Sequence, residues 1–388
     1  MKINLLIALF LLSILNCNYS KEVEENSFKD ECKNMFFFAN DENVKFLGRY
    51  YLNGTDIWLV QSGSSIEFIL KGKTASIVLA GDKSINSEKE YRPRFGIYIE
   101  DQLYLDSLMD VEERTVELFK GPGEKEVKVK VMLLSEGLIG GVGVKSINVY
   151  TCSSNIPLIR PTPKKDLSIE FLGDSLTCAY AVETTVDDIP FSSDTENYAY
   201  SYTYLAAKEL NADYSTMCSS GTGFTFCYDM NGYFDNNIDK FYTNISRYDL
   251  YQYPWDFEKH QHDVIFINLG SNDYYSLKDT DSDEVRNKKL EAFKDAYLNF
   301  LKLVREKNPN SYIINGYGIF GFLEMYPMIE KAVKEFNDPK TFEFQFPVQN
   351  ITEDGAGKWD HPSIKTHKKE AKVLVEKIRE ILAKKLNL

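Results

Sequence analysis

The sequence predicts a mixed α/β chain in two parts: an N-terminal β-sandwich over residues 28–155, then a domain over 167–388 built on a parallel sheet with helices on both faces. Three observations carry this. The chain has 388 residues, 43% of them hydrophobic, which is more than one core usually organises, so two domains are the expectation. From about Val44 to Thr151 the apolar runs are short and β-like, and after Ser168 strand-like and helix-like runs alternate. Between the two patterns, Pro157, Pro161 and Pro163 mark residues 156–166 as a stiff extended linker.

The elements follow in order. Ile57–Val60, Ser65–Leu70, Ala75–Leu79, Phe95–Ile99 and Val127–Val131 read as antiparallel strands separated by Gly, Asn, Asp and Ser turns, and such strands hide their apolar faces by stacking two sheets. Beyond the linker, Ser168–Leu172, Val264–Leu269 and Ser311–Asn315 read as strands, and Tyr200–Leu210, Glu291–Glu306 and Tyr326–Glu335 as helices. Strands interleaved with helices of this length give a parallel sheet. Lys365–Lys385 has helical spacing at Ala371, Leu374, Val375, Ile378, Ile381 and Leu382 under a Lys-rich face, the pattern of a packing helix.

Residues 1–20 read as a cleaved secretory signal. Lys2 precedes an apolar stretch from Leu5 to Leu15 that is too short to span a bilayer, and no later segment approaches a membrane span. The expectation is a secreted monomer; anchoring as a lipoprotein through Cys17 is the competing one. A net charge of -13 with scattered lysines removes the electrostatic footprint of nucleic-acid binding and fits a neutral substrate. With Cys17 gone, Cys32, Cys152, Cys178, Cys218 and Cys227 leave at least one thiol free. Cys32 with Cys152 could staple the ends of the first domain, and Cys218 with Cys227 could bracket a loop; buried thiols throughout are the alternative. None has metal-ligand spacing. Asn53, Asn244 and Asn350 head N-glycosylation sequons.

The chemistry concentrates at strand ends. Ser168–Leu172 runs straight into Gly173-Asp174-Ser175, which puts the serine at the carboxyl tip of a strand, ahead of a helix. There its own N–H can hold negative charge, although the same tripeptide is also an ordinary helix cap. Val264–Leu269 ends in Gly270-Ser271-Asn272-Asp273, where an asparagine amide offers uncharged donors suited to an oxyanion hole. Cys218-Ser219-Ser220-Gly221-Thr222-Gly223 offers a glycine N–H on a tight turn. Of four histidines, His361 in Trp359-Asp360-His361-Pro362 is the candidate base, in a loop just before the last helix. His260 and His262 are expected to face solvent and His367 to be structural. Trp255 fits a core, whereas Trp359, beside the base, is a candidate for stacking on a sugar ring.

Gly173-Asp174-Ser175-Leu176-Thr177, Ser220-Gly221, Gly270-Ser271-Asn272-Asp273 and Asp360-His361-Pro362 stand in the order and approximate spacing of the four blocks of the SGNH, or GDSL, hydrolases, which this chain resembles. Within them it is similar to family 2 of the carbohydrate esterases through Gly173–Tyr180, Thr195–Tyr200, Ser220–Gly223, Asn268–Asp273 and His361–Ser363, with Gly48-Arg49 in the first part. The resemblance implies a jelly-roll-like first domain and a flavodoxin-like, three-layer α/β/α hydrolase domain. It implies Ser175 as nucleophile, His361 as base, and the Ser175 N–H, Gly221 N–H and Asn272 side chain as oxyanion hole. The implied substrate is an acetylated sugar or polysaccharide such as xylan or glucomannan, with no cofactor and no metal.

The third triad member departs from the pattern: where SGNH hydrolases place an aspartate, three residues before the histidine, this chain has Lys358. Asp360 is the candidate acid, with a backbone carbonyl behind His361 as the alternative. Rival readings are a lipase-like or sialate-type O-acetylesterase, and a non-catalytic extracellular carbohydrate-binding protein.

Overall fold

A computed structural model describes residues 32–152, 157–184, 191–229, 232–233 and 237–384, and the chain from Cys32 onward forms one compact unit. The expected signal segment and Cys17 lie outside the described residues. The first part is a ten-stranded antiparallel sheet built from β1 (Lys33–Phe37), β2 (Lys45–Leu47), β3 (Tyr50–Asn53), β4 (Asp56–Leu59), β5 (Ser65–Gly81), β6 (Arg94–Ile99), β7 (Gln102–Leu108), β8 (Glu113–Leu133), β9 (Val142–Thr151) and β10 (Ile159–Pro161).

Two of these strands correct the sequence reading. Ser65–Leu70 and Ala75–Leu79 are halves of one 17-residue strand, β5, and Val127–Val131 is the end of a 21-residue strand, β8. Gly72, read as part of a turn, instead sits where the β5–β8 register shifts; a glycine at a bulge lets a strand bend without ending it. Residues read as linker also take part: Ile159–Pro161 pairs with Phe68–Leu70.

The second part runs β11 (Ser168–Gly173), α1 (Ser175–Cys178), α2 (Tyr202–Glu209), β12 (Asp213–Cys218), a hairpin of β13 (Tyr228–Asp229) and β14 (Gly232–Tyr233), α3 (Ile238–Phe241), β15 (Val264–Asn268), α4 (Ser271–Tyr274), α5 (Asp283–Lys307), β16 (Tyr312–Tyr317), α6 (Tyr326–Phe336), β17 (Thr341–Gln345), α7 (Ile351–Asp354) and α8 (Ile364–Lys384). Its five-stranded sheet is parallel, in the order β12-β11-β15-β16-β17. Alternation along each strand sends side chains to two separate cores. Ile169, Phe171, Val264 and Phe266 join Ala206, Leu374 and Ile378 of α2 and α8, while Leu172, Ile265 and Ile267 join Phe293, Leu301 and Ile329 of α5 and α6.

The antiparallel sheet is keyed to the parallel one by Arg49, which is fully buried. Its guanidinium pairs with Glu170 of β11 at 3.0 Å and donates to the carbonyls of Tyr242 and Asn244. Removing a charge from water is costly unless it is paired and hydrogen-bonded, and this one is both.

Cys32 bonds Cys152, one of the two pairings the sequence left open, but Cys218 bonds Cys178 rather than Cys227, whose buried thiol is in hydrogen-bond contact with Asn237 Oδ1 at 3.0 Å. The histidines before β15 also depart from expectation. His260 stacks on buried Trp255 with ring centroids 4.2 Å apart, and burial lowers the pKa of both His260 and His262. The polar residues around them hid this packing in the sequence.

Candidate active site

Three neighbouring strands end together. Gly173 of β11 pairs with Cys218 of β12 on one side and Asn268 of β15 on the other, so the loops bearing Ser175, Gly221 and Asn272 leave the same carboxyl edge of the sheet. In the order β12-β11-β15 the chain reverses direction of travel across the sheet at this point, which is where such sheets bind ligands.

Gly173 has no room for a side chain: a Cβ there would lie 2.0 Å from Thr177 Oγ1. Asp174 caps α1, accepting the Leu176 N–H at 3.0 Å, and burial pushes its pKa up to about 7. Ser175 follows as the first residue of α1, and its Oγ stands 2.8 Å from His361 Nε2.

The other imidazole nitrogen, Nδ1, is 2.9 Å from the Lys358 carbonyl oxygen. A carbonyl can only accept, so Nδ1 carries the proton and Nε2 presents a lone pair to the serine hydroxyl. Burial drives the His361 pKa down to about 4, against the carbonyls of Lys358 and Trp359, which raise it. The ring is therefore neutral near pH 7. Tyr180 and Phe320 wall it in, at 4.7 and 5.1 Å between ring centroids.

Asp360 is not brought to the ring. It is exposed, in left-handed backbone at φ 58°, directly after Trp359 at φ 52°. The successive left-handed residues turn the chain so that the Lys358 carbonyl faces Nδ1. The oxygen that position 358 supplies is thus its backbone's, which explains how the ring is oriented where the expected aspartate is missing. Trp359 is 49% exposed and lies parallel to Tyr180, within 8° and with centroids 6.1 Å apart.

Gly221 sits at φ +75°, in the left-handed region that glycine enters without strain. Asn272, in α4, donates from Nδ2 to the Thr222 carbonyl at 2.9 Å, which ties the β15 loop to the β12 loop. The same nitrogen is 3.4 Å from Asp174 Oδ2, a long contact for its second hydrogen. Buried Asp273 accepts the N–H groups of Phe224, Thr225 and Phe226 and fixes the continuation of the Gly221 loop. His367 is buried, accepts the Tyr202 N–H on Nδ1 and stacks on Tyr202, a structural place.

Sequence reasoning passed over Glu136, whose carboxylate accepts the Ser220 N–H at 2.8 Å. It comes from the connection between β8 and β9, far away in the chain, and no local pattern marks it.

The family model of the GDSL-like lipases and acylhydrolases matches residues 169–384. The cellulase/esterase CelE of Acetivibrio thermocellus is 30% identical over 275 residues, which are 69% of this chain and 32% of that protein, so the chain spans about a third of its length. An acetylxylan esterase / glucomannan deacetylase of Cellvibrio japonicus is 24% identical over 89% of this chain and 90% of its own. Among solved structures, a family two carbohydrate esterase from Clostridium thermocellum, in complex with cellohexaose, superposes with a TM-score of 0.75 at 27% identity. It covers 88% of this chain and 99% of that one.

Proposed function

We propose that this chain, which belongs to the GDSL-like lipase/acylhydrolase family and is a carboxylic ester hydrolase, removes O-acetyl groups from sugars or polysaccharides of the acetylated xylan or glucomannan kind. The observation that carries the reading is the hydrogen-bonded line from the Lys358 carbonyl through His361 to Ser175 Oγ. In it Ser175 attacks the acetyl carbonyl while His361 Nε2 takes its proton, and the imidazolium that forms keeps its Nδ1–H on the Lys358 carbonyl. The developing oxyanion is held by the N–H groups of Ser175 and Gly221 and by the Asn272 amide, whose long contact to Asp174 is exchanged for the stronger one. His361 returns the proton to the departing sugar hydroxyl. Water, activated by the same ring, then frees acetate and Ser175.

Trp359 supplies an exposed apolar face beside the base, suited to the C–H face of a sugar ring. On this reading the antiparallel part is a jelly-roll-like sandwich and the parallel part a flavodoxin-like domain. The chain is a secreted monomer whose signal is residues 1–20, with sequons at exposed Asn53 and Asn350 open to glycosylation. The test is acetate release from acetylated xylan and glucomannan, set beside cleavage of an octanoyl ester, by wild type and Ser175→Ala. The reading expects acetate from the polysaccharides, preferred over octanoate, and none from the variant; octanoate preference would turn the substrate toward lipids.

A further inference from the structure

The turn that carries Gly221 is held residue by residue. Cys218 is bonded to Cys178, in the short helix that Ser175 begins. Ser219 Oγ accepts from Arg247 Nη1 at 2.8 Å. Ser220 is gripped twice by Glu136, which takes its backbone N–H on Oε2 at 2.8 Å and its hydroxyl on Oε1. The first two partners belong to the hydrolase part of the chain. Glu136 does not: it lies in the connection between β8 and β9 of the antiparallel sheet and is 4% exposed.

Glu136 is itself fixed. Its N–H donates to Glu196 Oε2 at 3.1 Å, and Glu196 is fully buried, with Oε1 lacking a hydrogen-bond partner among the described residues. Burial and the neighbouring Glu136 hold the Glu196 carboxyl well above the usual carboxylate range. Arg94 of β6 braces the same segment from the sheet side, donating to the carbonyls of Asp194 and Glu196 at 2.9 Å each. Arg94 of the antiparallel sheet and Glu136 of its β8–β9 connection thus both reach into the hydrolase part, at residues 194–196 and at Ser220.

We propose that Glu136 is a positioning residue for the oxyanion hole. Binding both the backbone N–H and the side-chain hydroxyl of Ser220 fixes the N and Cβ substituents of its Cα, and the remaining carbonyl substituent, which leads into the peptide whose N–H is that of Gly221, takes its direction from them. The antiparallel part of the chain then belongs to the catalytic apparatus, because the donor geometry depends on one of its side chains. This rests on the reading of Gly221 as an oxyanion donor. Donors aimed at the transition state act on kcat rather than on ground-state binding.

The experiment measures p-nitrophenyl acetate kinetics and inhibition by phenylboronic acid, whose tetrahedral adduct on a serine places an oxygen in the hole. The proteins are wild type, Glu136→Ala, Glu136→Gln, Ser220→Ala and, as a control in the same sheet, Glu126→Ala, whose partner is the exposed Arg160. Glu136→Ala is expected to lower kcat about 10- to 100-fold, less than or comparable to deleting a donor, with KM within about 3-fold. Boronate affinity should fall in the same proportion. Glu136→Gln should recover most of the loss, since its amide offers an oxygen to the N–H and a donor to the hydroxyl. Ser220→Ala, which keeps the backbone contact, should lose several-fold and covers the case in which Glu136→Ala does not fold. Folded variants with wild-type kcat and boronate affinity, or a rise in KM alone, would overturn the proposal. Ser175→Ala run alongside separates the two readings: if it is dead while the Glu136 variants keep kcat, only the positioning role falls, and if it stays active the site reading falls first.

Discussion

Asp360→Asn is the perturbation that bears most sharply on how His361 is oriented. Asparagine tolerates the left-handed backbone at this position and removes only the charge, so neither strain nor a lost side chain confuses the result. If Asp360 held the imidazolium, its loss would resemble the removal of a triad aspartate, a factor of about 10⁴ in kcat. The structure argues for far less. The single proton on Nδ1 is already committed to the Lys358 carbonyl at 2.9 Å, and the Asp360 side chain is in water. A carboxylate in water about 4 Å from a charge is worth a factor of about 5, and salt reduces even that. We therefore expect kcat for p-nitrophenyl acetate within about 5-fold of wild type at moderate ionic strength. Steady-state kinetics beside His361→Ala make the comparison, and a loss approaching that of the histidine variant would refute the carbonyl-oriented ring.

Three further outcomes follow from burial. Because burial lowers the His361 pKa to about 4, the neutral base persists well below pH 6, and the acid limb of kcat/KM should have its midpoint near pH 4; a midpoint near 6.5 would mean a solvated ring. The same depression costs stability in acid, since the unfolded chain takes up a proton near pH 6.5 that the folded ring refuses, so the urea midpoint of the wild type relative to His361→Gln should fall as pH drops from about 7 toward 4; the buried carboxyls of Asp174 and Glu370, raised to about 7, act in the opposite sense in both proteins and cancel in the difference. Arg49→Ala leaves the Glu170 carboxylate buried without its partner and two carbonyls without a donor. A loss of about 3–5 kcal/mol in urea denaturation is expected, and a change under about 1 kcal/mol would show that water replaces the guanidinium.

Much of the site was legible because its chemistry sits where local sequence rules are strongest. Ser168–Leu172 followed by Gly173 reads as a strand ending in a tight turn, and the structure has that strand over Ser168–Gly173 with Ser175 opening the next helix. The long helices were recovered for the same reason: the periodic stretch Glu291–Glu306 lies inside α5. The first part was less legible. Gly72, and Gly121-Pro122-Gly123 within β8, look like turns to any local rule, yet they fall at the β5–β8 register shift, where a bulge bends both strands between paired stretches on either side without ending them.

What the sequence withheld depends on contacts distant in the chain or on main-chain atoms. No residue type announces that the carbonyl of Lys358 faces a histidine ring three positions later, because the left-handed turn at Trp359 and Asp360 produces it. Glu136 is 84 residues from the serine it holds and looks like one more acidic residue in a loop. Cys178 and Cys218 become partners only once β11 and β12 pair in register.

The most direct test is acetate released from acetylated glucomannan by the purified protein and by its Ser175→Ala variant, assayed enzymatically over the same time course. The account predicts steady release by the wild type and a rate indistinguishable from buffer for the variant, with the fold unchanged by circular dichroism. Equal release by the two would contradict it, because among the described residues no other hydroxyl at this sheet edge is shown within reach of His361 Nε2.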